Sequence, residues 1–166
     1  MFKRPDPIPP EPGQESVWDY PRPAICEPTQ AHLRVEFAGQ TIAETRSGFR
    51  TLETSHPPTY YIPPGDVAAG ALQPSGHRTL CEWKGQARYF DVVVGYRRAS
   101  NAAWAYDNPT PTFIPIKGCV AFYPSLMDAC FVDGERVQPQ PGGFYGGWVT
   151  SHVAGPFKGG PGSMGW

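Results

Sequence analysis

Apolar and polar positions alternate with the period of a strand in several stretches of the chain, and almost nowhere with the period of a helix. Leu33, Val35 and Phe37 interleave with Arg34 and Glu36, the pattern of a strand with one buried face. Gly39-Gln40 reads as a hairpin turn into Thr41–Glu44. A further extended run covers Phe49–Thr54, and after His56-Pro57-Pro58 comes the run Tyr60-Tyr61-Ile62.

The strongest strand signals lie in the middle of the chain. Arg78–Trp83, Ala87–Val94 and Arg97–Tyr106 are separated by Lys84-Gly85 and Gly95-Tyr96. A two-residue turn at Gly95-Tyr96 sets Val94 against Arg97, Phe90 against Asn101 and Tyr89 against Ala102. That register places Asn101 on the Phe90/Val92 face and Trp104 on the Tyr89 face. Beyond a proline-containing loop at Asn108–Pro115, Gly118–Tyr123 and Asp128–Val132 read as extended, and Asp133-Gly134 turns into Glu135–Val137. One helix is predicted, opening at Pro63-Pro64-Gly65-Asp66 and running through Val67-Ala68-Ala69 to about Leu72. Proline is tolerated in a first helical turn, and Gln73-Pro74 stops it.

Composition narrows the fold. With 21 Pro and 19 Gly among 166 residues, helix is penalised nearly everywhere and turns are frequent. Aromatic residues at 13% supply the apolar area that ordering a chain requires. The expectation is an all-β, mainly antiparallel protein with one or two short helices. Residues 1–31 form a Pro-rich leader, extended or polyproline-like, that Trp18 and Tyr20 could dock onto the body. Residues 32–138 form a single β domain. Residues 139–166 carry Phe144, Tyr145, Trp148, Phe157 and Trp166 among glycines and prolines, and are expected to wrap over that domain.

Charge and hydropathy set the compartment and the partners. A net charge of -1 with 17% charged residues offers no basic groove for nucleic acid. No apolar run is long enough for a membrane span, and Met1-Phe2-Lys3-Arg4-Pro5 is not followed by the apolar stretch of a signal peptide. The protein is therefore expected to be cytoplasmic, with Cys26, Cys81, Cys119 and Cys130 as reduced thiols.

Most catalytic and metal motifs are missing. There is no Cys-x-x-Cys pair to seat zinc, no Gly-x-Ser-x-Gly elbow and no phosphate-binding loop. Cys119 and Cys130 flank what reads as a hairpin turning at Ser125-Leu126. That geometry holds them about 7–8 Å apart, beyond easy bridging. Lys84 follows Cys81 closely, but the two point to opposite faces of a regular strand. No metal or cofactor is expected. The glycines of Gly155–Gly162 are not followed by a helical pattern, and close backbone packing is their expected use.

The remaining chemistry gathers in Glu53, His56, Tyr60, Tyr61, Trp83, Lys84, Tyr89, Asn101, Trp104 and Tyr106. Aromatic walls with a few convergent polar groups make a small-molecule pocket. The same residues could also build an aromatic core whose phenols and indoles bond to backbone. Asn101 is the most telling of them, because an amide on an apolar face must find a partner.

These segments also carry a family resemblance. Leu52–Pro64, Cys81-Glu82-Trp83-Lys84-Gly85 with Ala87-Arg88-Tyr89, and Asn101–Tyr106 resemble the domain-of-unknown-function family DUF427. Val120–Tyr123 and the glycine- and aromatic-rich tail, Gly142–Trp148 and Gly155–Gly162, fit it as well. The resemblance covers roughly residues 17–166. It implies a β-tent, two small antiparallel sheets meeting at an angle. Zinc-pinned relatives of that architecture include methionine sulfoxide reductase B and the ligand-binding domain of cereblon. This chain lacks their paired cysteines, so neither metal nor chemistry carries over. Some family members are labelled nucleotidyltransferase-like, yet no Gly-Ser followed by Asp-x-Asp is present here to hold the magnesium that such chemistry uses.

Three functions fit these features. The first is a domain binding an unknown small molecule in its aromatic cleft, with Lys84 and Asn101 supplying polar contacts. The second is an enzyme with His56, Glu53 or Lys84 as acid or base and Tyr61 or Asn101 orienting the substrate. The third is a protein-interaction module working through the leader or the tail.

Overall fold

The computed structural model describes residues 4–166; the first three residues of the Pro-rich leader lie outside the described part. Strand accounts for 45% and helical turns for 9% of the protein, so the chain is all-β. It runs through β1 (Glu15–Ser16), β2 (Ile25–Thr29), β3 (Leu33–Phe37), β4 (Gln40–Thr45), β5 (Gly48–Leu52), β6 (Thr59–Tyr61), β7 (Leu72–Cys81), β8 (Gly85–Val94) and β9 (Arg97–Tyr106). Short strands follow: β10 (Ala121–Phe122), β11 (Ala129–Val132), β12 (Glu135–Arg136), β13 (Gln138–Pro139), β14 (Trp148–Val149) and β15 (Val153–Ala154). Two four-stranded sheets, β10-β9-β8-β7 and β12-β11-β3-β4, stand beside a three-stranded sheet, β2-β5-β6. Two short pairs, β13-β14 and the parallel β1-β15, tie in the ends of the chain. No described helix is long and apolar enough to cross a membrane.

Alternation decides what is buried. Leu33, Val35 and Phe37 of β3 meet Phe90 and Val92 of β8 and Ala103 of β9 in one core, which Trp148 from the tail completes. A second cluster collects Tyr61, Trp104, Tyr106, Phe113 and Ile116. A third joins Val17, Trp18 and Tyr20 to Leu52 and Val153, with Phe157 and Trp166 packed against it. The β3–β4 turn is made by Ala38 and Gly39, at φ 51° and 76°, the left-handed pair that matches the twist of a hairpin. It lies one residue earlier than the Gly39-Gln40 turn expected from sequence.

Four local expectations are corrected. The helix to Leu72 shrinks to a 3-10 turn at Pro64–Asp66. Beyond it the backbone bonds to other strands: Ala68 N–H donates to the Ile42 carbonyl at 2.7 Å, and Val93 N–H donates to the Ala71 carbonyl at 2.8 Å. Strand β7 accordingly starts at Leu72 and not at Arg78. The loop after β9 contains a 3-10 helix, Pro111–Ile116, burying Phe113 and Ile116. Cys119 and Cys130 do not flank a hairpin, because β10 pairs with β9 whereas β11 pairs with β3.

The correction that matters most for function lies between β8 and β9. Val94 does face Arg97, but beyond Val92↔Ala99 the ladder slips, so that Phe90 faces Ala103 and Tyr89 faces Trp104. Ser100, Asn101 and Ala102 thus oppose Asp91 alone, a bulge with two extra residues. Asn101 sits in it at φ 50°, a conformation that Asn tolerates better than most residues.

Candidate functional site

The slip at Asn101 aligns the ring-bearing positions of β8 and β9. Tyr89 and Trp104 lie directly across from one another, with ring centroids 6.2 Å apart. Tyr123 packs against Trp104 with its ring tilted, centroids 4.6 Å apart. Tyr61 meets Trp104 edge-on at 6.5 Å and lies 6.4 Å from Tyr106. These rings form one wall of an open cavity of about 740 Å³, within the usual range for a small-molecule site. Burial pushes the phenols of Tyr61, Tyr106 and Tyr123 upward, so they stay neutral hydrogen-bonding groups.

A second wall comes from the β7–β8 turn, which brings Cys81, Trp83 and Lys84 to the cavity. Lys84 Nζ lies 3.9 Å from Cys81 Sγ and 5.4 Å from the centre of the Phe113 ring. The chain turns between Cys81 and Lys84, so they share a side, unlike positions of a continuous strand. The Thr110 hydroxyl anchors this turn by donating to the Trp83 carbonyl at 2.6 Å.

The floor is the turn Glu53–His56, closed by His56 N–H donating to the Glu53 carbonyl at 3.0 Å. Ser55 occupies it at φ 74° and is fully buried. His56 Nε2 is 3.6 Å from Glu53 Oε2, and Tyr145 packs edge-on against the imidazole at 4.6 Å. Burial pulls the His56 pKa down to about 4, with Lys158, Lys84 and Arg22 acting in the same direction and Glu53 opposing them. His56 is therefore a neutral imidazole at physiological pH.

Nine of the ten residues singled out in the sequence line this cavity: Glu53, His56, Tyr61, Trp83, Lys84, Tyr89, Asn101, Trp104 and Tyr106. Tyr60 does not. Adjacent residues of a strand face opposite ways, so Tyr60 of β6 points into the main core and packs 5.3 Å from Trp148. Asn101 does not share the Phe90/Val92 face as the regular register implied; the bulge turns it to the cavity side.

Several lining residues went unnoticed in the sequence, among them a group from the tail. Gln140, Phe144, Tyr145, Gly146 and Lys158 cover the cavity opposite the sheet. Gly146 lies so close to the Trp104 indole that a Cβ there would collide with the ring. Gly142 and Gly159 similarly appose backbone to backbone, a Cβ on Gly142 meeting the Gly159 carbonyl. Gly-Gly pairs beside aromatic residues are the signal that could have marked this contact.

Among the described residues, no three His, Cys, Asp or Glu side chains gather as a metal site. The polar inventory is instead one of hydrogen bonding: the ammonium groups of Lys84 and Lys158, the imidazoles of His56 and His77, the carboxylates of Glu53 and Glu82, and the amides of Asn101 and Gln140. Asn101 Oδ1 is buried and accepts no hydrogen bond from the described residues.

Comparison with curated proteins returns no match. The family described as domain of unknown function (DUF427) matches residues 25–133, from β2 through the turn after β11, and this chain belongs to that family.

Proposed function

We propose that the protein binds a small planar molecule in this cavity. The observation that carries the reading is Asn101 Oδ1. Leaving a buried acceptor unpaired costs about 1–3 kcal/mol, and the side chain reaches its position only through a bulge with φ in the left-handed region. An arrangement unfavourable in two respects is the kind that a binding site retains. A turn of the amide that brings its oxygen to the cavity would let a ligand N–H or O–H satisfy it while the ligand's ring stacks among Tyr89, Trp104 and Tyr123. Lys84 and Lys158 would meet acceptor groups on its periphery.

The test uses tryptophan emission, since Trp83 and Trp104 both line the cavity. Indole, purine and benzoate serve as planar probes. Wild type should show saturable quenching by an N–H-bearing probe, weakened about tenfold or more in Asn101→Gly, the size expected when one hydrogen bond is lost. Glycine accepts the same backbone conformation, so the substitution removes the amide and leaves the bulge. Absence of saturable quenching by every probe would show that these rings are core and not a binding surface.

A further inference from the structure

Gln140 is 3% exposed and makes three hydrogen bonds that fix its orientation. Its Oε1 accepts from the Gly147 backbone N–H at 3.1 Å, and its Nε2 donates to the Lys158 carbonyl at 2.8 Å. Backbone groups cannot exchange donor for acceptor roles, so the amide cannot be flipped. The second N–H of the same nitrogen lies 2.9 Å from His56 Nδ1, which must therefore accept. A neutral imidazole with an accepting Nδ1 carries its proton on Nε2. That nitrogen stands 3.6 Å from Glu53 Oε2, beyond hydrogen-bond distance, so the N–H is available.

We infer that Gln140 is a positioning residue that holds His56 neutral with its proton on Nε2, so that His56 and Glu53 present a donor beside an acceptor to the edge of a ligand. The inference rests on the reading of the cavity as a site for planar molecules and names their chemical class: a heterocycle with a ring acceptor next to an N–H donor. The ring acceptor meets His56 Nε2–H, and the N–H meets the Glu53 carboxylate. The charges facing His56 favour this state. Lys84 from the β7–β8 turn, Lys158 from the tail and Arg22 from the segment before β2 all oppose a second proton on the ring. Glu53, on the same turn, favours it, and Tyr145 contributes an edge contact from the tail. With Nδ1 tied to Gln140 and Nε2 already protonated, His56 is a donor and not a base.

The experiment has two parts. Imidazole nitrogen chemical shifts of the free wild-type protein should show protonated Nε2 and bare Nδ1 throughout the range between about pH 5 and 8, where an ordinary histidine titrates. 9-Methyladenine, whose ring acceptor N7 adjoins the N6 amino donor, then serves as the probe against 9-methylpurine, which carries no N–H at all. 9-Methyladenine should bind about tenfold more tightly, a difference of roughly 1.4 kcal/mol. Gln140→Glu replaces the donor to Nδ1 by an acceptor, and should bring His56 into titration in that range and erase the preference for 9-methyladenine. A proton on Nδ1 in the wild type, or an imidazole that titrates there, overturns the role of Gln140 even if the variant fails to fold. Equal affinity for 9-methyladenine and 9-methylpurine overturns the ligand class, and saturable 9-methylpurine binding would then leave the planar cavity standing.

Discussion

The backbone N–H of Asn101 donates to Asp91 Oδ1 at 2.9 Å, and this bond spans the bulge that turns Asn101 out of the alternation of β9. Asp91 is held in turn by Arg98, whose Nη1 lies 2.6 Å from its other oxygen. The Asn101 N–H is thus not stranded in the bulge: the one residue of β8 that faces three residues of β9 has a side chain able to bond it. One carboxylate positions the amide on which the proposed site depends.

Replacing Asp91 by Ala should therefore lower the melting temperature at neutral pH and weaken probe binding together. The Asn101 N–H and Arg98 hold the Asp91 carboxyl below its ordinary value of 3.8. A depressed carboxyl stabilises the fold above its unfolded pKa and ceases to do so as pH falls through the folded pKa. The difference in melting temperature between wild type and Asp91→Ala should accordingly be full above 3.8 and narrow in stronger acid. A difference that persists unchanged in acid would assign the effect to packing.

Substitutions at Asn101 should separate backbone strain from function. Alanine at φ 50° incurs the left-handed penalty of about 1–2 kcal/mol, whereas glycine does not. Both remove the unpaired buried oxygen. Asn101→Gly should thus be at least as stable as wild type in a urea melt, and Asn101→Ala less stable than Asn101→Gly by about 1 kcal/mol. A large loss of stability in Asn101→Gly would mean that the amide braces the fold, contrary to its unpaired state.

What the sequence revealed of this site followed from period and residue type. The alternation of β3, β8 and β9 identified the core faces, and the turn residues Gly95-Tyr96 set the hairpin that carries Tyr89 and Trp104. The resemblance to DUF427 agreed with the family to which residues 25–133 belong. Alternation alone missed the bulge, because a local slip changes no composition and Asp91 is an ordinary outward residue until its backbone partner is known. Tyr60 was misplaced for a simpler reason: of two adjacent tyrosines in a strand, only one can face a given side. Gln140 was invisible, since its three partners, at Gly147, Lys158 and His56, meet only through tertiary packing.

The acid limb of stability should carry the signature of His56. Its pKa falls from 6.5 in the unfolded chain to about 4 in the fold. Between those values the unfolded state binds more protons, so stability should rise with pH across that window and level off above it. Full loss of this contribution amounts to roughly 3 kcal/mol. His56→Phe should flatten that part of a urea-midpoint-versus-pH profile, although carboxylates such as Glu15, whose pKa its bond to Arg50 lowers, will still contribute at the acid end. An equally steep profile in the variant would show that His56 is not held neutral.

The tail should be integral to the fold, because its largest side chain completes the main core. Trp148 is 1% exposed. Its indole N–H donates to the Phe122 carbonyl at 3.1 Å, and its backbone N–H donates to the Pro58 carbonyl at 2.8 Å, so it joins β10 to the segment entering β6. Trp148→Ala should cost about 3–5 kcal/mol, the range for emptying a buried aromatic site. Gly159→Ala should destabilise by another route, since its Cβ would strike the Pro141 carbonyl at φ 134° with no side chain free to move aside. Met164, 81% exposed, is the control: Met164→Ala should shift stability by no more than about 0.5 kcal/mol. Removing residues 142–166 takes away Trp148, the glycine contacts and the cover over His56 together, and should lower the melting temperature more than any of these single changes. A truncated protein that melts like wild type would show that the two four-stranded sheets are complete without the tail, and that the contacts of Trp148 add nothing to them.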